Sequence, residues 1–304
     1  MRPSFPQIVR YLCCPDDRSR LVSVADGFRC IRCGRSFGRE RQNVIELLPL
    51  KPVPISGTDV SPRYREGYVQ EFSKPLELRE DAKTWGAPEG LSQKAVHLRE
   101  RQAREMLRLL RGGQSSIPET FCDLSAGAGH CTFEAAKDYP LVFHCDLSAD
   151  SIAYASSKAA RLRVENIVFV RSDYLQLPLR NTIQHLTCLD TLIRGSWHEI
   201  KLLAGLCQAL APGGRAAVDF HNWWHNPLRR LGLFHNNFEG NRSYSRTELQ
   251  ALLASAGIQN FQVNRFVQEV DPAQRAGKIL SRFIPPTRFL VCLSKPGEAP
   301  AAGA

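Results

Sequence analysis

Three acidic residues close short apolar runs in the middle of the chain: Asp123 in TFCDL, Asp146 in LVFHCDL and Asp173 in NIVFVRSD. After the first comes SAGAG, in which Ser125, Ala126, Gly127, Ala128 and Gly129 remove side-chain bulk so that a ligand can approach the backbone. Asp146 stands 17 residues after Gly129, about where an acidic side chain reaches ribose hydroxyls in nucleotide-binding folds. Asp173 is placed to accept from the exocyclic amino group of an adenine. A lone acid at a strand end more often caps a helix or shapes a turn; the set of three in register points to a nucleotide-bearing ligand. A dinucleotide does not fit, because its third fingerprint glycine is replaced by Thr132.

A second group of reactive side chains lies near the start. Cys14-x-x-Asp17, twelve intervening residues, and Cys30-x-x-Cys33-Gly34 have the spacing by which two hairpin knuckles converge four ligands on a tetrahedral zinc ion. Asp17 stands where a further cysteine is expected, and Cys13 replaces it only if the first knuckle rearranges. The segment reads either as a zinc ribbon or as a small metal-free β element. The other cysteines (Cys122, Cys131, Cys145, Cys188, Cys207 and Cys292) fall in apolar segments and read as reduced core residues. His221 and His225 follow the last parallel strand, and His198 follows the fourth; a histidine there suits general-base chemistry near neutral pH. Each also reads as a surface or hydrogen-bonded histidine. The i, i+4 spacing of His221 and His225 is no helical metal pair, because Pro227 and the strand-to-loop context oppose a helix.

These groups need elements to hold them. From Thr120 short apolar runs alternate with helical patterns, as in β-α-β units: strands over 120–124, 141–147, 166–173, 186–192 and 215–221, with helices from His130, Ala149 and Trp197. Ser148 caps the second helix, and Pro212-Gly213-Gly214 turns the chain into the fifth strand. Ser245 and Glu248 form a capping box, followed by strands over 260–270 and 287–294. Leu91–Gly112 has helical spacing, with Arg99, Arg101, Arg104, Arg108 and Arg111 read as a solvated face.

Composition removes several classes. At 43% hydrophobic and 23% charged residues, the chain is neither wholly disordered, collagen-like nor a coiled coil. No apolar run approaches the roughly 20 residues that span a bilayer, and MRPSFPQIVRYL lacks the apolar core of a secretory signal. A reduced, cytoplasmic setting without membrane insertion is expected. The net charge of +10 divides as +6 over 1–120, −1 over 121–220 and +5 beyond, so the central stretch is not singled out as a polyanion site.

As a set, the central motifs resemble the class I S-adenosylmethionine-dependent methyltransferases of the type 11 sort. Asp123-Leu124-Ser125-Ala126-Gly127-Ala128-Gly129 matches the first motif, with Ser125 in place of its first glycine. Asp146-Leu147-Ser148, Asp173-Tyr174-Leu175 and Ala211-Pro212-Gly213-Gly214 match the later ones in order. The resemblance implies an α/β, Rossmann-like seven-stranded fold of strand order 3-2-1-4-5-7-6, with the small N-terminal β ribbon in front. It implies that Asp123 and the 125–129 backbone hold the methionine end of S-adenosyl-L-methionine and that Asp146 takes the ribose. Leu147 and Tyr174 then flank the adenine, Asp173 bonds its amino group, and Leu189 and Asp190 lie beside the sulfonium. Gln184 stands near the position where the family usually has an acid.

The first segment is similar to Trm112-type ribbons, with Leu47-Leu48-Pro49 as the closing element. The implied organisation is a Trm112-like segment over 1–50, a linker or lid over 51–90, the methyltransferase domain over 91–296 and a disordered tail over 297–304. A small-molecule acceptor suits the aromatic-rich 221–238 segment and Trp85. The alternatives are RNA, which suits the basic flanks and the ribbon, and a non-catalytic or partner-docking protein that uses the ribbon.

Overall fold

The computed structural model describes residues 3–38, 44–53, 93–112, 116–191, 198–222, 243–267 and 286–297. Most of the expected lid with Trp85, His225 with the aromatic stretch after it, the basic connection between the last two strands (Arg275, Lys278 and Arg282) and most of the tail lie outside the described residues. The chain opens with the short helix α1 (Phe5–Ile8) and a 3-10 turn over Val9–Tyr11. Strands β1 (Leu21–Val24), β2 (Gly27–Cys30) and β3 (Ser36–Gly38) then form an antiparallel meander. Gly34 adopts φ 75 directly after Cys33, as the tight knuckle turn requires.

The next strand, β4 (Val44–Leu47), leaves the ribbon. No strand was expected over these residues, which fall within the 1–50 segment. β4 joins the large sheet, pairing in parallel with β7 (Ile167–Ser172), Val44 opposite Phe169 and Leu47 opposite Ser172. The physical reason lies in its burial pattern. All four β4 residues are buried, and such a run suits a two-sided sheet rather than a small ribbon.

The large sheet also contains β5 (Thr120–Leu124), β6 (Leu141–Asp146), β8 (Ile183–Cys188), β9 (Leu210–Asn222), β10 (Ser243–Tyr244), β11 (Phe261–Phe266) and β12 (Arg288–Ser294). Its order is β11-β12-β9-β8-β5-β6-β7-β4, with β10 on β9. Without β4 and β10 this is the expected 3-2-1-4-5-7-6 arrangement. The strands from β4 to β9 are parallel; β12 runs antiparallel to them, and β11, antiparallel to β12, returns to their direction. The fourth strand begins and ends earlier than the apolar run suggested. The fifth begins earlier, at Leu210, with a register irregularity between Ile183 and His185 that accommodates the Pro-Gly-Gly turn.

Alternate side chains of each strand serve opposite faces. On one face Phe121, Val142 and Phe169 pack with α2 (Gln93–Arg111), α3 (His130–Ala135) and α4 (Ala149–Leu162) through Met106, Leu110, Cys131 and Ile152. On the other, Cys122, Phe143 and Val170 pack with α5 (His198–Ala209) and α6 (Arg246–Ser255). The ribbon completes that second layer: Tyr11, Leu12, Leu21, Phe28 and Phe37 belong to the same continuous core. The expected caps are present, Ser148 accepting from Ser151 N and Ser245 forming the full capping box with Glu248, each worth about 1 kcal/mol. The α2 arginines divide. Arg104 and Arg108 are exposed as expected, whereas Arg99 and Arg101 are drawn inward, because the first turns of α2 pass Asp190 and Val267. No helix among the described residues is long and apolar enough to cross a membrane.

Candidate functional site

The loop after β5 is built from left-handed backbone: Ser125 has φ 54, Gly127 φ 53 and Gly129 φ 78. A Cβ at Gly129 would meet the Phe133 ring at 3.0 Å, so a side chain there must push the ring aside as well as bear the left-handed backbone. Ser125, by contrast, carries a Cβ in a conformation that costs L-residues about 1–2 kcal/mol. Its replacement by glycine relieves the strain and adds back some unfolded-state entropy. Ser125→Gly is therefore expected to raise Tm by roughly 1–3 °C with ligand affinity unchanged. A lowered Tm in a thermal melt would show that the hydroxyl makes a contact worth more than the strain.

Asp146 fastens this loop to the next strand end. Its Oδ2 accepts from Gly127 N at 2.7 Å and its Oδ1 from Ser148 N at 2.8 Å, while Ala126 N donates to Cys145 O at 3.1 Å. Asp123 is more deeply placed, 2% exposed. One of its oxygens accepts from Thr132 N at 2.8 Å and Thr132 Oγ1 at 2.7 Å, and the other from Thr187 Oγ1 at 2.9 Å. Because the Thr132 hydroxyl gives its proton to Asp123, it accepts at 2.9 Å from His144 Nδ1, which fixes that tautomer. Burial keeps His144 neutral, its pKa lowered to about 3. Burial also raises Asp123 to about 7, against the pull of its hydroxyl and amide donors. Asp123 thus ties β5, α3 and β8 together beneath the loop. Asp173 is fully buried and caps the 3-10 turn over Tyr174–Gln176 by accepting from Leu175 N at 2.8 Å. Leu147 and Tyr174, both half-buried, pack around Leu175 and Leu48. The loop, Asp146, Leu147, Asp173 and Tyr174 therefore share the carboxyl edge of β5, β6 and β7, where open α/β sheets bind ligands.

Across that edge, after β8, Asp190 has φ 59. Its Oδ1 lies 2.9 Å from His221 Nε2 and 3.2 Å from Arg288 Nη1, and its Oδ2 accepts from Arg99 Nη2 at 2.7 Å. Burial pushes its carboxyl up, but Arg288, the hydrogen bond from His221 and Arg99 outweigh this and hold it well below the usual carboxylate range. Behind it Asp219, on β9, accepts from Asp190 N at 2.5 Å, from Gln102 Nε2 at 3.0 Å and from Arg288. Sequence reasoning singled out His221 and Asp190 separately and missed Arg99, Gln102, Asp219 and Arg288. Asp219 alone left a trace there, a carboxylate inside the apolar run RAAVDF. Leu189 packs against the core face beneath α2. His198, at the start of α5, is buried, and burial lowers its pKa to about 4.

In the ribbon Cys14, Asp17, Cys30 and Cys33 bring one ligand atom each within 4.8 Å of one another. Cys14 Sγ and Cys33 Sγ are 3.8 Å apart, and Cys30 Sγ is 3.6 Å from Asp17 Oδ1. A tetrahedral zinc ion with ordinary bond lengths has S···S edges of about 3.8 Å and S···O edges of about 3.5 Å, so the four residues fit one. Arg32 N and Cys33 N both donate to Cys30 Sγ at 3.4 Å, as knuckle amides do toward a thiolate. Cys13 is not in the group; its N–H donates to Pro178 O at 2.9 Å, outside the knuckle.

Residues 121–214 match a methyltransferase-domain family. Among curated proteins none matches the sequence. Solved structures do. A chain of the complex formed by the Trm112 methyltransferase activator of Haloferax volcanii is 13% identical with a TM-score of 0.50, over 67% of this chain and 95% of that one. Phosphoethanolamine N-methyltransferase 2 of Haemonchus contortus, bound to S-adenosyl-L-methionine, is 14% identical with a TM-score of 0.48 over 67% of this chain. This chain spans 57% of that protein's length. Geranyl diphosphate C-methyltransferase of Streptomyces coelicolor A3(2) is 18% identical with a TM-score of 0.49, over 70% of this chain and 84% of that one. At such identities the likeness to the archaeal complex concerns the fold alone.

Proposed function

We propose that this chain, a methyltransferase by its 121–214 domain, binds S-adenosyl-L-methionine at the carboxyl edge of β5–β8 and methylates a small-molecule acceptor that gives up a proton. The observation that carries this reading is the pairing of His221 with Asp190 across from the Asp146 loop. When bound, S-adenosylmethionine supplies a methyl group on a sulfonium, ready for in-line displacement. The chain's own contribution is alignment and proton removal. The 125–129 backbone lies against the methionine end, Asp146 accepts from the ribose, and Leu147 and Tyr174 enclose the adenine next to Asp173. Asp190, held as a carboxylate by Arg99 and Arg288, orients His221. With Nε2–H donating to Asp190, the neutral imidazole carries its lone pair on Nδ1, the atom that receives the acceptor's proton.

An ordered network of buried charges beside the transfer point suits a compact acceptor more than an extended polyanion, and the central stretch is electroneutral. Transfer of methyl label into cell extracts should persist after the RNA is digested. Label that appears only with RNA present would replace the small molecule by RNA. Tight cofactor binding with no label moved in either extract would support the non-catalytic alternative.

The ribbon is read as a structural zinc site held by Cys14, Asp17, Cys30 and Cys33. Purified protein should contain about one zinc per chain, and Asp17→Cys, which supplies a fourth thiolate, should slow its loss to chelator by at least about tenfold. A metal-free preparation whose Tm is indifferent to added zinc would identify the ribbon as a metal-free β element. The inner face of the ribbon is taken up by this chain's own sheet, which favours a role within the chain over the docking of a separate protein there.

A further inference from the structure

The added edge strand β4 carries a carboxylate where its neighbours are apolar. Glu46 is 7% exposed and lies directly opposite Arg171 of β7 in the parallel register. Its Oε2 is 3.8 Å from Arg171 Nη1, and the two side chains are 7% and 4% exposed. The same guanidinium donates from Nε to the carbonyl oxygen of Leu147 at 3.1 Å. Leu147 lies between Asp146 and Ser148, whose own contact is the 2.8 Å bond from Ser148 N to Asp146 Oδ1. The backbone turn that presents Asp146 is therefore held at two points, once by Asp146 itself and once by an arginine that faces the N-terminal segment.

The chain that follows β4 converges on the same place. Leu48 is fully buried and packs with Leu175, with Leu147, Tyr174 and Val53 set around them. Beyond it Leu50 N donates to Asp16 Oδ1 at 2.7 Å, while Asp16 Oδ2 accepts from Arg35 at 2.7 Å. Asp16 sits inside the knuckle between Cys14 and Asp17, so the 48–53 strap packs against the sheet edge at both ends, through Leu48 and Val53, and is fastened to the ribbon at Leu50. At 3.8 Å the two form an ion pair rather than a hydrogen bond; in this buried place the charge of a carboxylate in register still favours one of the orientations open to the guanidinium.

We propose that Glu46 is a positioning residue for the adenine end of the cofactor site, acting through Arg171 on the Leu147 carbonyl, and that β4 and the strap after it are one wall of that site. This rests on the S-adenosylmethionine reading above. It assigns a binding role to a segment that the resemblance divides between the ribbon over 1–50 and the linker after it. Glu46→Gln keeps shape and removes the charge. The Leu147 turn then loses its fixed donor, and the affinity for S-adenosylmethionine is expected to fall about tenfold, the size of one charge-assisted hydrogen bond.

Titration calorimetry on the full-length, metal-loaded chain uses two probes, S-adenosylmethionine and adenosine. The expected loss is equal for both, because it arises at the half of the ligand they share. Glu46→Met combined with Arg171→Met replaces the buried pair by apolar side chains of similar size, a change that folds tolerate. It keeps the test open if Glu46→Gln does not fold, and it should show the same loss rather than a doubled one. Wild-type affinity in either folded variant overturns the proposal, as does a loss seen with S-adenosylmethionine and absent with adenosine. Wild-type protein that binds neither probe overturns the cofactor reading itself, and this proposal with it.

Discussion

Asp146→Ala should weaken S-adenosylmethionine binding by about 100-fold or more. The carboxylate has two tasks. It accepts from Gly127 N and Ser148 N, which sets the shape of the loop against the methionine end, and its remaining lone pairs face the ribose diol in the proposed complex. A hydrogen bond to a charged group is worth about 1.5–3 kcal/mol, so losing a pair of ribose bonds alone predicts roughly two to four orders of magnitude. The loop's loss of its anchor adds to that. Asp146→Asn separates the tasks. The amide nitrogen must turn either toward a backbone N–H or toward the ribose, and one acceptor is lost in both cases. Its effect should fall between wild type and alanine. Titration with S-adenosylmethionine and S-adenosylhomocysteine reads both variants, and a thermal melt shows whether they fold. An unchanged affinity in a folded Asp146→Ala protein would place the ribose elsewhere.

The second large effect belongs to the His221–Asp190 pair. With an acceptor in hand, His221→Ala is expected to lower kcat by about 10²–10⁴, the usual worth of a positioned general base, with cofactor affinity kept. Asp190→Asn should lower kcat at least as much, because the amide no longer demands the Nε2–H tautomer. It should also cost stability, since Arg99 and Arg288 lose the carboxylate that balances them. The pH dependence of that stability has a definite sign. Asp190 titrates well below its ordinary value in the folded protein. Its contribution is therefore complete above the unfolded carboxylate pKa of about 4 and is lost as the pH falls toward and through the folded value. Asp190→Asn should flatten this acid limb and leave the neutral and alkaline range parallel to wild type. A variant with full kcat and wild-type cofactor binding would remove His221 from the chemistry and leave the pair as a structural link between β8 and β9.

Much of the fold was legible before any coordinates. Thr120–Leu124 matched to the residue, the strand expected over 141–147 ends one residue earlier and that over 166–173 is one residue shorter at each end, because each is a short apolar run closed by an acid and a turn. Ser148 and Ser245 were readable as caps because capping is settled within four residues. The convergence of Cys14, Asp17, Cys30 and Cys33 was readable because two knuckles fix its spacing. Val44–Leu47 was not read as a strand, because a buried run of that length carries no mark of which sheet it enters, and its partner lies more than a hundred residues away. The α2 arginines were read as one solvated face for a similar reason. Helical periodicity reports which side of a helix is apolar, and it is blind to an acid such as Asp190 arriving from another strand end.

The sequence by itself determined the α/β class, the loop of small residues, the strand-end acids and the converging cysteine knuckles, all of them decided by neighbours close along the chain. Tertiary structure alone decided three things. It made the ribbon a covering layer of the central sheet, it set Glu46 behind the Leu147 turn, and it gathered Arg99, Gln102, Asp190, Asp219, His221 and Arg288 into one network. Those pairings join residues whose separation in sequence carries no periodic signal. They exist because buried charges must find partners where the packed chain happens to bring them together.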